Sequence, residues 1–379
     1  MSLAEKLARQ EIVTMTPYQS ARRLFSSNDA NKTTTQKIWL NANEASGPGI
    51  YHLNGESLNR YPDFQPNNLL TAYSDYSQVA KENILATRGA DEGIELIIRT
   101  FCQAYQDNIL ICPPTYGMYA ISAENHGAGI TEVPLIINAT TEVDLNIEAL
   151  AAHRGQVKVV FLCSPNNPTG SLLKSSQVRQ VIEMFKDSAM VVVDEAYIEF
   201  CPENSVVSWL NHYDNLIILR TLSKAFALAG LRCGFTLANS DIITLLSKVI
   251  APYPIAAPVA ELASQALSTK GIAQMQVRVQ ETQLLRERFF TWLNEQPWCQ
   301  QVFNSEANFV LFRSPFKNEI FNGLKSQGIL IRDQSKQPQL ANCLRISIGN
   351  ERELLLVKKI LTQLDINSTS NVSTTEQNL

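Results

Sequence analysis

Between about Asn83 and Asn239, short apolar runs alternate with stretches whose apolar residues recur at helical spacing. ENILATR precedes DEGIELIIRTFCQAY, DNILICPP precedes GMYAISAENHG, and VKVVFLCSP precedes SSQVRQVIEMFKD; AMVVVDEAY, NLIILRT and CGFTLAN follow. Runs such as MVVV and LIIL are apolar at every position rather than every second one, so the strands they predict need cover on both faces. The pattern predicts an α/β fold whose large domain holds a mostly parallel, doubly wound sheet.

Pro252, Pro254 and Pro258 punctuate the chain, after which VAELASQALSTKGIAQMQVRVQETQLLRERFFTWLNEQ predicts a long helix broken near Gly271. In the last hundred or so residues, NFVLFRS and LRISIG read as strands, and IFNGLKSQG and ERELLLVKKILTQL as helices, which predicts a smaller α+β domain. The expected division is an N-terminal arm joining the small domain over 1–45, the large domain over 46–255, a connecting helix over 256–290, the small domain over 291–364, and a disordered polar tail over 365–379.

Composition narrows the classes. A hydrophobic share of 45% supports a sizeable core, and 32 basic against 36 acidic residues without a basic stripe exclude nucleic acid as the expected partner. The longest apolar run, Ile242 to Ile255, is broken by Ser247, Lys248, Pro252 and Pro254, so no membrane span is expected. MSLAEKLARQEIV carries acidic residues and no apolar core, unlike a signal peptide. Seven scattered cysteines without CxxC spacing read as reduced thiols of a cytoplasmic protein, and four dispersed histidines give no metal site.

In a sheet of this kind the ligand lies beyond the C-terminal ends of the strands. The polar residues there are Gly89 to Glu92, Pro114 to Tyr116, Ser164 to Gly170, Asp194 to Tyr197, and Ser223 with Lys224. No P-loop or dinucleotide fingerprint accompanies them, since Gly127-Ala128-Gly129 lacks the third glycine and a preceding strand. The RGADEGIEL turn suits a phosphate at a helix N-terminus, or is simple capping by Asp91. Asp194 either caps a turn or is a buried carboxylate in need of a partner, and Lys224 either lies on the surface or is a functional amine. Taken together, a lysine, a carboxylate, Arg232 and a phosphate turn are the parts that hold pyridoxal phosphate.

TPYQSARRL, LNANE, NRYPDFQP, TRGADEGIELIIR, CPPTYGMY, CSPNNPTG, DEAYIEFCP, RTLSKAFALAGLRCGF, GILIRDQSKQP and CLRISIG occur in an order and spacing that resembles the fold-type-I pyridoxal-phosphate aminotransferases, within them the histidinol-phosphate aminotransferases. The resemblance runs from about Thr16 to Lys359. It implies that Lys224 forms the Schiff base with pyridoxal phosphate and then moves the substrate proton, and that Asp194 pairs with the pyridinium nitrogen. It further implies that Tyr197 and Asn167 contact the cofactor O3′ and Tyr116 stacks on the ring, while Ser223, Arg232 and the Ala90-Asp91 turn hold the phosphate. Tyr61 is implied to reach the other subunit's cofactor, which makes a homodimer. For substrates, Asn43 is implied as a contact, Arg345 as the clamp for the carboxylate of glutamate or 2-oxoglutarate, and Arg332, Tyr18 and Arg22 as ligands of the histidinol phosphate phosphate group.

The activity implied is transamination of L-histidinol phosphate with 2-oxoglutarate, giving imidazole-acetol phosphate and L-glutamate in L-histidine biosynthesis. A threonine-phosphate-type decarboxylase and an aromatic amino-acid aminotransferase are the alternatives on the same scaffold. A pyridoxal-fold transcription regulator is not expected, because the short N-terminal stretch leaves no room for a DNA-binding domain.

Overall fold

The computed structural model describes residues 38–44 and 59–364. Tyr18, Arg22, most of the N-terminal arm and the polar tail lie outside the described residues. Strand β1 (Ile38–Trp39) stands apart from the central sheet, which begins with β2 (Ile84–Thr87), β3 (Asn108–Ile111) and β4 (Gly129–Glu132). A small hairpin of β5 (Ile136–Ile137) and β6 (Val143–Asp144) intervenes before β7 (Val159–Cys163), β8 (Met190–Asp194), β9 (Leu216–Thr221) and β10 (Gly234–Ala238) complete the sheet. Its order is β2-β10-β9-β8-β7-β3-β4. From β9 to β4 every pairing is parallel, whereas β10 runs antiparallel to both β2 and β9. The α/β class and mostly parallel sheet expected from the apolar runs are therefore present.

Both faces of this sheet are covered, as strands without polar alternation require. Val191 and Val193 of β8 join one core with Val160 and Leu162 of β7, while Val192 joins the opposite core with Val159 and Phe161. The same alternation continues to the strand end, so Asp194 and Glu195 leave the sheet toward opposite faces. Glu195 turns into the first core, where its Oε2 accepts from Arg220 Nε at 3.0 Å and Nη2 at 2.8 Å. Val206 N–H donates to Glu195 Oε1 at 2.7 Å, and Arg220 also donates to Ser205 Oγ at 2.7 Å. This buried ion pair is thus fully hydrogen-bonded, the condition under which charges tolerate burial.

The helical region after the prolines is two helices, Ala257–Ala266 and Thr269–Asn294. The break falls at Leu267 and Ser268, just before Gly271, and Ser268 caps the second helix by accepting from Gly271 N–H at 3.2 Å. Gly271 serves the break differently: a Cβ there would stand 2.2 Å from the Ala266 carbonyl oxygen. The second helix sends Met275 and Val279 into the large sheet's core and Phe289 and Leu293 into the next one.

That next core lies against an antiparallel sheet. Its strands are β11 (Gln301–Val302), β12 (Phe309–Arg313), β14 (Arg332–Asp333) and β15 (Cys343–Ser347), while β13 (Ile329–Leu330) pairs in parallel with β1. The sheet order is β11-β12-β15-β14, with Arg332 opposite Arg345 in register. The β1 pairing carries the following residues, Leu40 to Glu44, to the C-terminal ends of the central strands, where Asn41 and Asn43 are buried.

Candidate active site

At the C-terminal ends of the central strands lies a cavity of about 320 Å³. Each wall is one of the strand-end loops that the sequence pattern marks, and the remaining wall is the Asn41–Glu44 segment with β14 and β15. Polar side chains that would be costly to bury in isolation meet here around a single space.

Asp194 is 3% exposed, and its carboxylate accepts from Tyr119 Oη at 2.6 Å and from Ala196 N–H at 3.1 Å. Burial raises it to about 6, against the pull of those two hydrogen bonds and of the Lys224 charge. Lys224 leaves the turn after β9, donates to the Ala42 carbonyl at 3.2 Å, and stands 5.6 Å from the centre of the Tyr197 ring. Its amine is lowered to about 8 by burial first and by the Arg345 charge next. A lysine on a helix start open to water would show neither effect, so Lys224 is not a surface residue.

Tyr197 accepts from Asn43 Nδ2 at 3.0 Å. Asn43, in the left-handed region at φ 56°, is itself fixed by Ser347 and by the Asn308 amide on its carbonyl at 2.9 Å. A non-glycine residue held in that region at a cavity wall is strain retained by its surroundings.

The opposite end of the cavity is cationic. Arg232 donates to Ser223 Oγ at 3.3 Å and to Asp91 Oδ2 at 3.2 Å, and Tyr116 donates to Asp91 Oδ1 at 2.9 Å. Gly89, at φ 78°, opens the helix Gly89–Phe101 next to Ala90, and a Cβ on it would come 2.6 Å from Arg232 Nη2. Asp91 does not cap this helix. The Arg88 N–H is taken by the Glu92 carboxylate at 2.6 Å, which leaves the Gly89–Asp91 turn beside the guanidinium.

Arg345 is 6% exposed, lies over the Phe309 ring at 5.1 Å, and donates to the Asn41 carbonyl at 3.2 Å and to the Asn167 side chain. Arg332 lines the same wall from the neighbouring strand, followed by Gln334 and Gln337. Two guanidinium groups facing one cavity make a site for carboxylate or phosphate oxygens.

Twelve of the residues singled out from the sequence therefore meet around this cavity: Asn43, Ala90, Asp91, Tyr116, Asn167 and Asp194 with Tyr197, Ser223, Lys224, Arg232, Arg332 and Arg345. Tyr61 does not line it. That side chain is 82% exposed and stacks on Tyr253, with ring centres 4.6 Å apart. Tyr18 and Arg22 lie outside the described residues. Sequence reasoning missed Tyr119, Ser347 and Asn308, which support site residues from behind. A tyrosine among apolar neighbours, or a serine within a strand, carries no local mark of such a role.

The chain belongs to the aminotransferase class I and II family, whose model matches residues 24–358. It is 61% identical over 370 residues to a histidinol-phosphate aminotransferase of Colwellia psychrerythraea, covering 96% of this chain and 100% of that one. A histidinol-phosphate aminotransferase of Yersinia pseudotuberculosis is 51% identical over 367 residues, covering 97% and 93%. Among solved structures, the histidinol-phosphate aminotransferase of Clostridium acetobutylicum superposes with a TM-score of 0.74 at 26% identity, covering 82% and 92%. The chain is accordingly a pyridoxal-phosphate-dependent aminotransferase of that family.

The residues fit this cofactor. A buried amine of lowered basicity, a buried carboxylate and a serine-arginine end beside a helix N-terminus stand around one cavity, and no Cβ at position 89 crowds the arginine.

Proposed function

We propose that the chain moves an amino group between L-histidinol phosphate and 2-oxoglutarate, giving imidazole-acetol phosphate and L-glutamate, the aminotransfer step of L-histidine biosynthesis. One observation carries the substrate side: Arg332 and Arg345, in register on adjacent strands, face the cavity that holds Lys224 and Asp194. A substrate carrying one anionic group beyond the reacting carbon fits that pair whether the group is a carboxylate or a phosphate. The decarboxylase alternative is not favoured, because relatives at 51% and 61% identity across nearly the whole chain are aminotransferases.

Pyridoxal phosphate, when bound, supplies a conjugated ring that accepts the electron pair left at the substrate Cα. Every other task falls to the protein. Ser223, Arg232 and the Ala90-Asp91 turn would hold the phosphate, with the Asp91 carboxylate orienting the guanidinium rather than touching the anion. Asp194 would keep the ring nitrogen protonated, and Tyr116 would lie against the ring face. Tyr197 and Asn167 would donate toward the ring oxygen, each aimed by a partner of its own, Asn43 and Arg345. Lys224 would take and return the proton at the substrate Cα, for which an amine near neutrality is suited.

Arg345, anchored on both sides, would hold the carboxylate of glutamate. Arg332, with Tyr18 and Arg22, would meet the distal phosphate of the other substrate. Adding L-histidinol phosphate to purified protein should convert the aldehyde form of the cofactor spectrum into the amine form, and 2-oxoglutarate should restore it. Release of carbon dioxide without amino transfer would overturn the assignment. Arg332→Ala should raise KM for the phosphorylated substrate by roughly 10–150-fold, the loss expected for charge-assisted contacts.

We also propose the division into a large domain over 46–255, a connecting helical segment over 256–290 and a small domain over 291–364 joined by the residues before 46. The separate cores behind the two sheets support it. Seven free cysteines, of which only Cys299 is not fully buried, suit a cytoplasmic protein. The exposed Tyr61 supports a homodimer in which that tyrosine reaches the neighbouring subunit's phosphate site. Mixed dimers of Lys224→Ala and Tyr61→Phe subunits should then carry one intact site and exceed both parents in activity; activity no higher than the parents' average would rule the exchange out.

A further inference from the structure

Tyr119 is the second residue of the helix Met118–His126 and is completely buried. Its ring stacks on Phe161 at 4.7 Å and meets the edge of Tyr116 at 5.6 Å, so it is held on two sides. Phenylalanine would fill the same volume, and the hydroxyl therefore needs its own explanation. That hydroxyl donates a 2.6 Å hydrogen bond to Asp194 Oδ2, a short contact of the kind made to an ionised acceptor.

We propose that Tyr119 is a positioning residue for the reaction: its phenol aims the Asp194 carboxylate into the cavity and keeps it ionised. The inference rests on the proposal that Asp194 faces the cofactor's ring nitrogen. A protonated Asp194 cannot hold a proton on that nitrogen, and Asp194 stands where burial favours the protonated form. The charged and titratable groups facing Asp194 are Tyr119 and Cys163 from the adjacent elements, Asp91, Lys224 and Tyr197. Of these, Tyr119 is the one that donates a hydrogen bond to it, the other donor being the Ala196 N–H. Burial lifts the Tyr119 phenol well above the usual tyrosine range, so it remains a donor throughout the working range. Because the ring is held by Phe161 and Tyr116, the hydroxyl stays beside the Asp194 carboxylate, with the Cys163 thiol as its other neighbour.

Tyr119→Phe removes one oxygen and leaves the packing. In the cofactor-free protein, the carboxyl carbon-13 signal of Asp194 should titrate about one pH unit higher in the variant than in the parent. Its affinity for pyridoxal phosphate should fall roughly fivefold at pH 6 and far less at pH 8.5, since Asp194 ionises at the higher pH with or without the phenol. A residue that only filled space would weaken binding equally at both pH values. Replacing Tyr119 with 3-fluorotyrosine, a stronger donor of nearly the same shape, should shift the midpoint the opposite way, which keeps the test decisive if the phenylalanine variant folds poorly.

An unmoved midpoint in both variants, or a pH-independent loss of affinity, would overturn the proposal. Asp194→Asn separates the two levels. If it binds pyridoxal phosphate as tightly as the parent, the placement of Asp194 opposite the ring nitrogen is wrong; if it binds weakly while Tyr119→Phe matches the parent, only the role of Tyr119 fails.

Discussion

Lys224→Ala is expected to abolish the long-wavelength absorbance of lysine-bound cofactor and to lower turnover at least about 10²–10⁴-fold, the contribution of a positioned proton-transfer group alone. The covalent attachment is lost with it, so the decline should exceed that range. The amine has no understudy at its position: Lys224 donates to the Ala42 carbonyl and lies over Tyr197, and the neighbouring cations, Arg345 and Arg232, are guanidinium groups that offer no amine. A variant retaining both the band and turnover would remove Lys224 from the mechanism. The same environment sets a pH dependence. With the amine at about 8, only the deprotonated fraction is nucleophilic, and that fraction rises from about 10% at pH 7 to about 90% at pH 9. Cofactor capture by the cofactor-free protein should accelerate roughly tenfold over that interval, and Arg345→Gln, which removes a neighbouring positive charge, should move the rise to higher pH.

The second large effect concerns stability. Arg220→Ala should destabilise the protein by about 3–5 kcal/mol, the cost of leaving a buried carboxylate without its partner, as measured by the midpoint of urea unfolding. Glu195 is 1% exposed and its Oε2 accepts from the Arg220 guanidinium, so water cannot replace the lost charge. A variant whose midpoint matched the parent would show that the pair contributes nothing net.

Arg220 also illustrates what was legible in the sequence. LIILRT reads as a strand because its first four residues are apolar, and nothing in that pattern marks Arg220. Its acid partner follows a different strand, and their meeting depends on β8 and β9 being neighbours, which no local pattern states. The cavity residues were legible for the opposite reason: strand ends in a parallel sheet converge by topology, so polar residues that directly follow apolar runs collect at one place. The motif resemblance brought Asn43, Arg332 and Arg345 to that place, although each lies far along the chain from Lys224. The helix break lies near Gly271 as the pattern suggests, but Ser268 makes the cap and the glycine admits a close carbonyl. Tyr61, by contrast, lies on the surface against Tyr253, away from the cavity.

The Leu40–Glu44 segment carries a final consequence. It receives Lys224 on the Ala42 carbonyl and Arg345 on the Asn41 carbonyl, so residues made first are joined to a strand made among the last. The central sheet ends with Ala238, and Arg345 follows only on β15, while Met275, Val279, Ala307 and Phe309 pack into the central sheet's core. The wall facing Lys224 is therefore complete only when both sheets are in place.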